Sequence, residues 1–234
     1  VATLNTGGVT YTGLIGGDVF NGTYTGAFSD KNVGTGKTVT ITPSYTGADV
    51  SNYSVTDHAT ITANITAKAL TVSGITASNK TYDATTSANL DTSSVSYAGL
   101  VSGDSFSGSY TGTFNNANVG TSKLVTISSS YSGDDVNNYS IAEQSSTGAN
   151  ITKASPTISG LSAQSKFSDE TYTLAGIPSI SGLSISYSSS DTNIASVNSS
   201  TGAVSILTTG TSNITASIAA TSNYNAATAT YILT

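Results

Sequence analysis

The feature that most constrains the fold of this 234-residue chain is an internal repeat with an offset of 86 residues. The first copy contains the run Phe20-Asn-Gly-Thr-Tyr-Thr-Gly-Ala-Phe28, and the second contains Phe106-Ser-Gly-Ser-Tyr-Thr-Gly-Thr-Phe114. The correspondence continues through Asn32-Val-Gly, which returns as Asn118-Val-Gly. A period this long is that of a whole small domain rather than of a solenoid rung. The sequence therefore predicts tandem modules.

Within each copy, apolar side chains alternate with polar ones. Phe20, Tyr24 and Phe28 share one parity with two glycines, so we expect a strand on which the aromatic rings cover the glycine gaps. A short strand is also predicted at residues 9–11. The same six positions in each copy are predicted to form the core. These core residues are Phe20, Tyr24, Phe28, Val39, Ile41 and Tyr53, and Phe106, Tyr110, Phe114, Val125, Ile127 and Tyr139.

The composition favours strands over helices. Only 9% of the residues are charged and 37% are hydrophobic, and Tyr, Val, Ile and Thr are frequent. We therefore expect an all-β protein made of tandem Ig-like β-sandwich modules in an elongated array. The net charge is −6 and the seven basic residues are lysines spread along the chain, so the sequence contains no basic patch. Accordingly we expect no nucleic-acid partner and, since no apolar run is long enough, no membrane insertion.

Three modules account for the chain. Residues 1–68 have no counterpart of residues 70–87 and are predicted to form an N-terminally truncated module. Residues 69–153 are predicted to form a complete module, and residues 154–234 a third one that begins near Pro156. A missing opening strand leaves unpaired backbone groups at a sandwich edge. We expect preceding chain to cover this edge, or the first module to self-associate through it. The other expected partners are neighbouring modules of the same long chain.

Several motifs of the second copy resemble a known family. Lys80-Thr-Tyr-Asp83, Gly103-Asp104 and Asp135-Val-Asn-Asn-Tyr139 are similar to the YDG-type repeats of very large bacterial surface adhesins. Ala84 stands where that family has a glycine. The first copy resembles the same repeat from Gly17 onwards but lacks the Tyr-Asp segment.

The last part of the chain is similar to bacterial Ig-like domains, on motifs that include Gly202-Ala-Val204 and Asn223-Tyr-Asn-Ala226. Together the two resemblances imply sandwiches in the stalk of a secreted protein or of one on the bacterial cell surface. The implied role is a non-enzymatic spacer that holds a distal adhesive domain away from the cell. The alternative is an adhesive module that itself binds glycan or a partner cell surface, which would need an exposed cluster of aromatic side chains.

The sequence offers no plausible catalytic set, since His58 is its only histidine. We therefore expect no enzymatic activity and no cofactor. The weak metal candidates are Asp134, Asp135, Asn137 and Asn138, which offer several oxygens in one turn, as calcium requires. Asx turns, in which such side chains accept backbone N–H groups, are the preferred interpretation. No bound metal is expected to be needed for folding.

Two lysines recur together with two asparagines. Lys37 and Lys123 occupy equivalent positions, as do Asn32 and Asn118. Surface adhesins sometimes crosslink sandwiches through a Lys–Asn isopeptide bond, which needs the two side chains on adjacent strands beside a carboxyl group. A lysine that lies along a strand edge and opposes edge-to-edge association is the preferred interpretation.

Overall fold

The computed structural model describes residues 1–167 and 170–234, and within them it consists almost entirely of β-strands. The predicted all-β class is thereby confirmed. Two single-turn 3₁₀-helices in this part of the chain, η1 (Val50–Asn52) and η2 (Val136–Asn138), occupy equivalent places in the two copies. No helix among the described residues is long and apolar enough to cross a membrane. The strands are β1 (Asn21–Phe28), β2 (Gly34–Thr46), β3 (Thr60–Ile65), β4 (Lys68–Ser73), β5 (Thr76–Ala77), β6 (Lys80–Thr81), β7 (Ser87–Ala88), β8 (Leu90–Asp91), β9 (Ser96–Ala98), β10 (Ser107–Phe114), β11 (Gly120–Ser132), β12 (Tyr139–Ala142), β13 (Ser146–Thr152), β14 (Ile158–Ser159), β15 (Thr171–Thr173), β16 (Ile177–Pro178), β17 (Ser186–Ser189), β18 (Ala195–Val197), β19 (Ala203–Ile206), β20 (Ser212–Ile218) and β21 (Ala227–Leu233).

The chain forms two compact units. One unit comprises Val1–Ser73, Val95–Ser109 and Ser129–Glu143, and the other comprises Gly74–Ser94, Tyr110–Ser128 and Gln144–Thr234. Each unit therefore takes residues from both sides of one predicted module boundary. The division of the sequence into modules 1–68, 69–153 and 154–234 stays a prediction.

In the first copy, β2 lies between β1 and β3 in an antiparallel sheet. The predicted alternation of β1 is present, because residues of one parity are exposed and those of the other are at least partly buried. Ala2 forms a bridge to Gly26 on this sheet. A Cβ at Gly26 would lie 2.9 Å from Leu4 Cδ2, and one at Gly112 would lie 2.7 Å from Leu90 Cδ2. The expectation that aromatic rings cover the glycines is therefore wrong at Gly26 and Gly112, where leucines cover them. It is confirmed at Gly22, where a Cβ would lie 2.7 Å from the Tyr24 hydroxyl.

The second copy contains a strand that the first copy lacks. β4 lies between β12, to which it is parallel, and β9, to which it is antiparallel. Leu70 and Val72 of this strand are 0% and 2% exposed, and Ile75, just after it, is 1% exposed. A second sheet of the copy has the order β6-β13-β11-β10-β7. The prediction that the complete copy opens with a strand in residues 70–87 is confirmed.

The C-terminal part of the chain is a two-layered β-sandwich. One sheet has the order β15-β19-β18 and the other β17-β20-β21. Val204 of one sheet and Ile214 of the other are fully buried in a common core. The turn between β18 and β19 is closed by Asn198, whose side chain accepts the backbone N–H groups of Ser200 and Thr201. β18 and β19 pair antiparallel on either side of this turn and so form a hairpin.

The two copies bury their predicted core positions to different extents. Phe114, Val125, Ile127 and Tyr139 are buried in the second copy, whereas Val39 is the one of the six that is buried in the first. The remaining positions are half-buried: Phe20, Tyr24, Phe28, Ile41, Tyr53, Phe106 and Tyr110. The first copy therefore leaves partly open a core that the second copy closes.

One predicted strand of the first copy is absent. Residues 9–11 form no strand, whereas β9, which corresponds to residues 10–12, pairs with β4 in the second copy. Residues 53–56, which correspond to β12, form no strand either. The prediction at residues 9–11 is wrong because a strand needs a hydrogen-bonding partner, and the first copy has no counterpart of β4.

A pair of matched substitutions measures this difference in packing. Phe114→Ala should lower the free energy of unfolding by about 3–5 kcal/mol, because the ring is 2% exposed in a closed core. Phe28→Ala should cost less, because Phe28 is half-buried and part of its ring is already in water. Denaturant unfolding of both variants, followed by tyrosine fluorescence, gives the comparison. Equal losses would show that the two copies are packed equally well.

Candidate functional site

A loop that occurs in both copies contacts an asparagine far along the chain. In the first copy, the Val33 backbone N–H donates to Asn138 Oδ1 at 2.9 Å. Asn138 Nδ2 in turn donates to Asn32 Oδ1 at 3.2 Å. Because both the oxygen and the nitrogen of the Asn138 amide are used, the loop is fixed in position and in orientation. We call the contacts of residues 31–33 with Asp104, Asp135 and Asn138 the first joint.

The same two hydrogen bonds recur between the second copy and the C-terminal sandwich. The Val119 backbone N–H donates to Asn223 Oδ1 at 3.0 Å, and Asn223 Nδ2 donates to Asn118 Oδ1 at 3.2 Å. Beside them, the rings of Tyr82 and Tyr224 meet edge to face with centroids 5.3 Å apart. These five residues form the second joint. The protein thus uses one joint geometry twice.

A side-chain acceptor at the start of the loop sets its shape. Asp30 Oδ1 accepts the backbone N–H of Asn32 at 2.8 Å, which is an Asx turn, and also binds the Lys37 ammonium. In the second copy Asn116 takes this role and accepts from Lys123 Nζ at 2.8 Å. The lysine comes from the following strand, so it ties the turn to the sheet. The conformation of the loop is therefore set by contacts within its own copy and does not require the partner asparagine.

An ion pair adds charge to the first joint. Lys31 Nζ lies 2.9 Å from Asp104 Oδ1 and 2.7 Å from Asp135 Oδ1. The two aspartate side chains are 13% and 8% exposed, whereas that of Lys31 is 63% exposed. Hydrogen bonds from Tyr139 and then Lys31 lower the pKa of Asp104, and those from Lys31 and then the Ser105 N–H lower the pKa of Asp135. The same carboxylates raise the pKa of Lys31. Both aspartates are therefore ionised at neutral pH.

The two aspartates that bind Lys31 are held in place by hydrogen bonds within the second copy. Asp104 Oδ2 accepts the Tyr139 hydroxyl at 2.5 Å, and Asp135 Oδ2 accepts the Ser105 N–H at 2.9 Å. The Tyr139 oxygen also accepts the Val101 N–H at 3.0 Å. One oxygen of each carboxylate is thus held within the copy, and the other, Oδ1, binds Lys31. Such prior ordering lowers the entropy that the contact costs.

The first copy contains the same hydrogen bonds at its two equivalent aspartates. Its Tyr53 hydroxyl donates to Asp18 Oδ2 at 2.6 Å, and the Val19 N–H donates to Asp49 Oδ2 at 2.8 Å. Asn52 stands at the position of Asn138 and is exposed. The arrangement therefore belongs to the copy itself and does not depend on a lysine being bound.

The four weak calcium candidates divide between the joint and the surface. Asp135 and Asn138 lie in the first joint, whereas Asp134 and Asn137 are exposed. The ammonium of Lys31 supplies the positive charge beside Asp135. Within residues 1–167 and 170–234, no group of three or more His, Asp or Glu side chains is arranged to hold a metal ion.

The side chains considered for a crosslink have other partners. Lys37 and Lys123 contact Asp30 and Asn116 at the start of the loop. The two asparagines considered for the crosslink instead take part in the joints. The lysines therefore make contacts within their own copy, whereas the asparagines make contacts with a later part of the chain.

The Tyr-Asp motif of the second copy builds a turn. Lys80 Nζ donates to Asp83 Oδ1 at 2.8 Å, and the Thr85 N–H donates to the same oxygen at 2.9 Å. These hydrogen bonds, that of Lys80 first, lower the pKa of Asp83 to about 2. Ala84 has φ of 63°, a left-handed conformation that glycine adopts more readily. The glycine of the family motif is explained by this backbone conformation.

Sequence reasoning missed the contacts of the two joints. An Asn-Tyr pair occurs at 52–53 and 138–139, and again at 223–224 in a part of the chain with an otherwise different sequence. Its recurrence, together with the repeated Asn-Val-Gly at residues 32–34 and 118–120, is the signal that could have found them.

The first joint can be tested with equivalent residues of the two copies. Asn138→Ala removes the acceptor of the Val33 N–H, so hydrogen exchange at that amide should accelerate and stability should fall by about 0.5–1.5 kcal/mol for each hydrogen bond lost. Asn52→Ala is the matched control and should leave exchange at Val33 unchanged. An unchanged exchange rate in both variants would contradict the joint.

The chain matches the model of a known protein family. The model of the YDG domain matches residues 1–63 and 66–147, which together are more than half of the chain. No curated protein sequence matches the chain.

Several solved structures are similar at low identity. A Drosophila N-cadherin EC1-3 fragment is 7% identical with a TM-score of 0.29, over 91% of this chain and 88% of that one. A C-terminal intimin fragment, solved with the intimin-binding domain of the translocated intimin receptor, is 16% identical with a TM-score of 0.26, over 68% and 62%. A SusE-like surface-located polysaccharide-binding protein from the Bacteroides thetaiotaomicron heparin utilisation locus is 9% identical with a TM-score of 0.25, over 93% and 55%.

These TM-scores are too low to support an inference about function. The family match rests on sequence and covers both copies, including the Tyr-Asp turn and the residues of the first joint. The chain belongs to the YDG domain family.

Proposed function

We propose that this chain is a non-enzymatic spacer in a large bacterial surface adhesin, where it holds a distal adhesive domain away from the cell. An extracellular location on the bacterial surface is part of the proposal. The observation that carries it is the joint, which uses one asparagine geometry at two successive places. A spacer transmits position only if its successive parts cannot swivel, and a fixed joint supplies that property.

Short covalent connections support the same role. β3 ends at Ile65 and β4 begins at Lys68, so two residues connect them beside the first joint. At the second joint, Ala154 forms backbone hydrogen bonds in both directions: its N–H donates to Asn223 O at 3.1 Å, and the Asn225 N–H donates to Ala154 O at 2.8 Å. A connection held by such a backbone bridge has little freedom, and it keeps the loop close to its partner asparagine.

An adhesive module that itself binds glycan is the second candidate. It is favoured by a cavity of about 620 Å³ in the first copy, whose lining includes Tyr11, Phe20 and Tyr24. Aromatic side chains in a concave site are suited to binding small molecules. A glycan array probed with the whole chain separates the two functions: the spacer proposal expects no saturable binding.

The rigidity of the first joint can be measured directly as a distance. The chain has no cysteine, so Thr62→Cys and Ser140→Cys place two spin labels at exposed positions on either side of the joint. Pulsed electron paramagnetic resonance should give one narrow distance distribution at neutral pH. Adding Lys31→Met and Asn138→Ala should broaden it, because both the ion pair and the amide contacts are then lost.

Acid should weaken the same joint. The pKa values of Asp104 and Asp135 are lowered in the folded protein, so their contribution is complete above the ordinary carboxyl pKa of about 3.9 and is lost as the pH falls through the lowered values. The distribution should therefore broaden below about pH 4. A distribution that is already broad at pH 7, or saturable glycan binding, would contradict the spacer function.

A further inference from the structure

The cavity of the first copy lies where the second copy has a strand. About 620 Å³ in volume, it is lined by residues 10–12 and by residues 53–58, among others. Residues 10–12 correspond to β9, and residues 53–56 correspond to β12, by the 86-residue offset. In the second copy these two strands lie on either side of β4. The cavity is therefore the place of a missing strand.

The backbone on both sides of the cavity is available for pairing. In the second copy β4 pairs in parallel with β12, with Leu70 opposite Ile141, and antiparallel with β9, with Val72 opposite Tyr97. Among the described residues, neither 10–12 nor 53–56 belongs to a strand. Two segments that face the same space can offer N–H and C=O groups to one extended segment, although the Tyr53 N–H already donates to Val50 O at 3.2 Å.

The side chains around the cavity lack the cover that β4 provides. In the second copy, Leu70, Val72 and Ile75 are almost completely buried. In the first copy, Val9 and Val55 at the cavity are exposed. Exposed apolar side chains on segments without a strand partner favour an apolar strand as the ligand, since it removes both the side chains and the backbone groups from water.

One polar residue of the second copy shows how the end of such a strand is held. Gln144 Oε1 accepts the Ile75 N–H at 3.0 Å, and Gln144 Nε2 donates to Ile75 O at 2.7 Å. His58 stands at the equivalent position and lines the cavity. Its imidazole offers one donor and one acceptor, so it has the chemistry to replace the glutamine.

We propose that the first copy binds one extended segment with the pattern Leu-x-Val-x-x-Ile as a missing strand, parallel to residues 53–56 and antiparallel to residues 10–12. The pattern is that of residues 70–75, which fill the same place in the second copy. The segment enters from a stretch of chain that is not already folded into a copy of its own. A second molecule of this chain is unsuitable as the donor, because its Leu70 and Val72 are already buried.

The whole chain and a synthetic peptide test this site in trans. The probe is the peptide of residues 68–78, and the control is the same peptide with Asp in place of Leu70 and Val72. The probe should raise the melting temperature saturably and slow hydrogen exchange at the amides of residues 10–12 and 53–56 by at least about tenfold. The amides of β9 and β12 serve as the internal control, because they are already paired and should not change.

A fusion tests the same strand in cis. Residues 68–87 placed directly before Val1 should give the same protection without added peptide, and the double Asp variant of the fusion should not. Absence of protection in both the peptide and the fusion experiments would overturn the proposal. Glycan binding that protects these amides would overturn it in favour of a sugar site, and protection through dimers of the unmodified chain would overturn it in favour of a second copy. Because the joints lie outside the cavity, the peptide and fusion results do not bear on the spacer function, whereas glycan binding would contradict both proposals.

Discussion

The arrangement of successive copies depends on one side-chain amide that binds the backbone of a distant loop. A single hydrogen bond of this kind contributes only about 0.5–1.5 kcal/mol, so it could not hold two independent domains together. It is effective here because the loop and the asparagine are already kept near each other by a two-residue connection. The Asx turn and the lysine behind it order the loop in advance, and Tyr139 and Ser105 order the aspartates. Individually weak hydrogen bonds thus give a defined joint, because the loop and the aspartates are already ordered within their own copies.

The contrast between the two copies shows what an opening strand contributes. The two copies have equivalent strands, β1 in the first and β10 in the second. They also have in common a glycine covered by a leucine and the hydrogen bonds at the aspartates. They differ in β4, β5 and β6, which the first copy lacks: β4 lies between β12 and β9, and Ala77 and Tyr82 pack against the cluster that contains Phe114. Phe28, Ile41 and Tyr53 are half-buried where their counterparts are buried. The segment that the first copy lacks therefore closes the core, and β4 within it supplies the partner that the two neighbouring segments need in order to form strands. The sheet of β12, β4 and β9 is cooperative in this sense.

The sequence predicted those features that depend on local periodicity. The parity of Phe20, Tyr24 and Phe28 predicted a strand with one partly buried face, and the apolar pattern of residues 70–74 predicted an opening strand. It did not predict the joints, because asparagine is common in this chain and the partner of a side-chain amide is fixed only by tertiary structure. The strand expected at residues 9–11 failed for a related reason: pairing depends on a neighbour, which periodicity does not reveal.

Residual dipolar couplings of backbone amides in solution test the joint most directly. Couplings from β1, β2 and β3 report the orientation of the first copy, and those from β4, β9 and β12 report the orientation of the strands that follow the first joint. A joint that is fixed by Asn138 and Lys31 predicts that one alignment tensor fits both sets of couplings. Two tensors of different magnitude or orientation would show that the copies reorient independently, and would contradict the account.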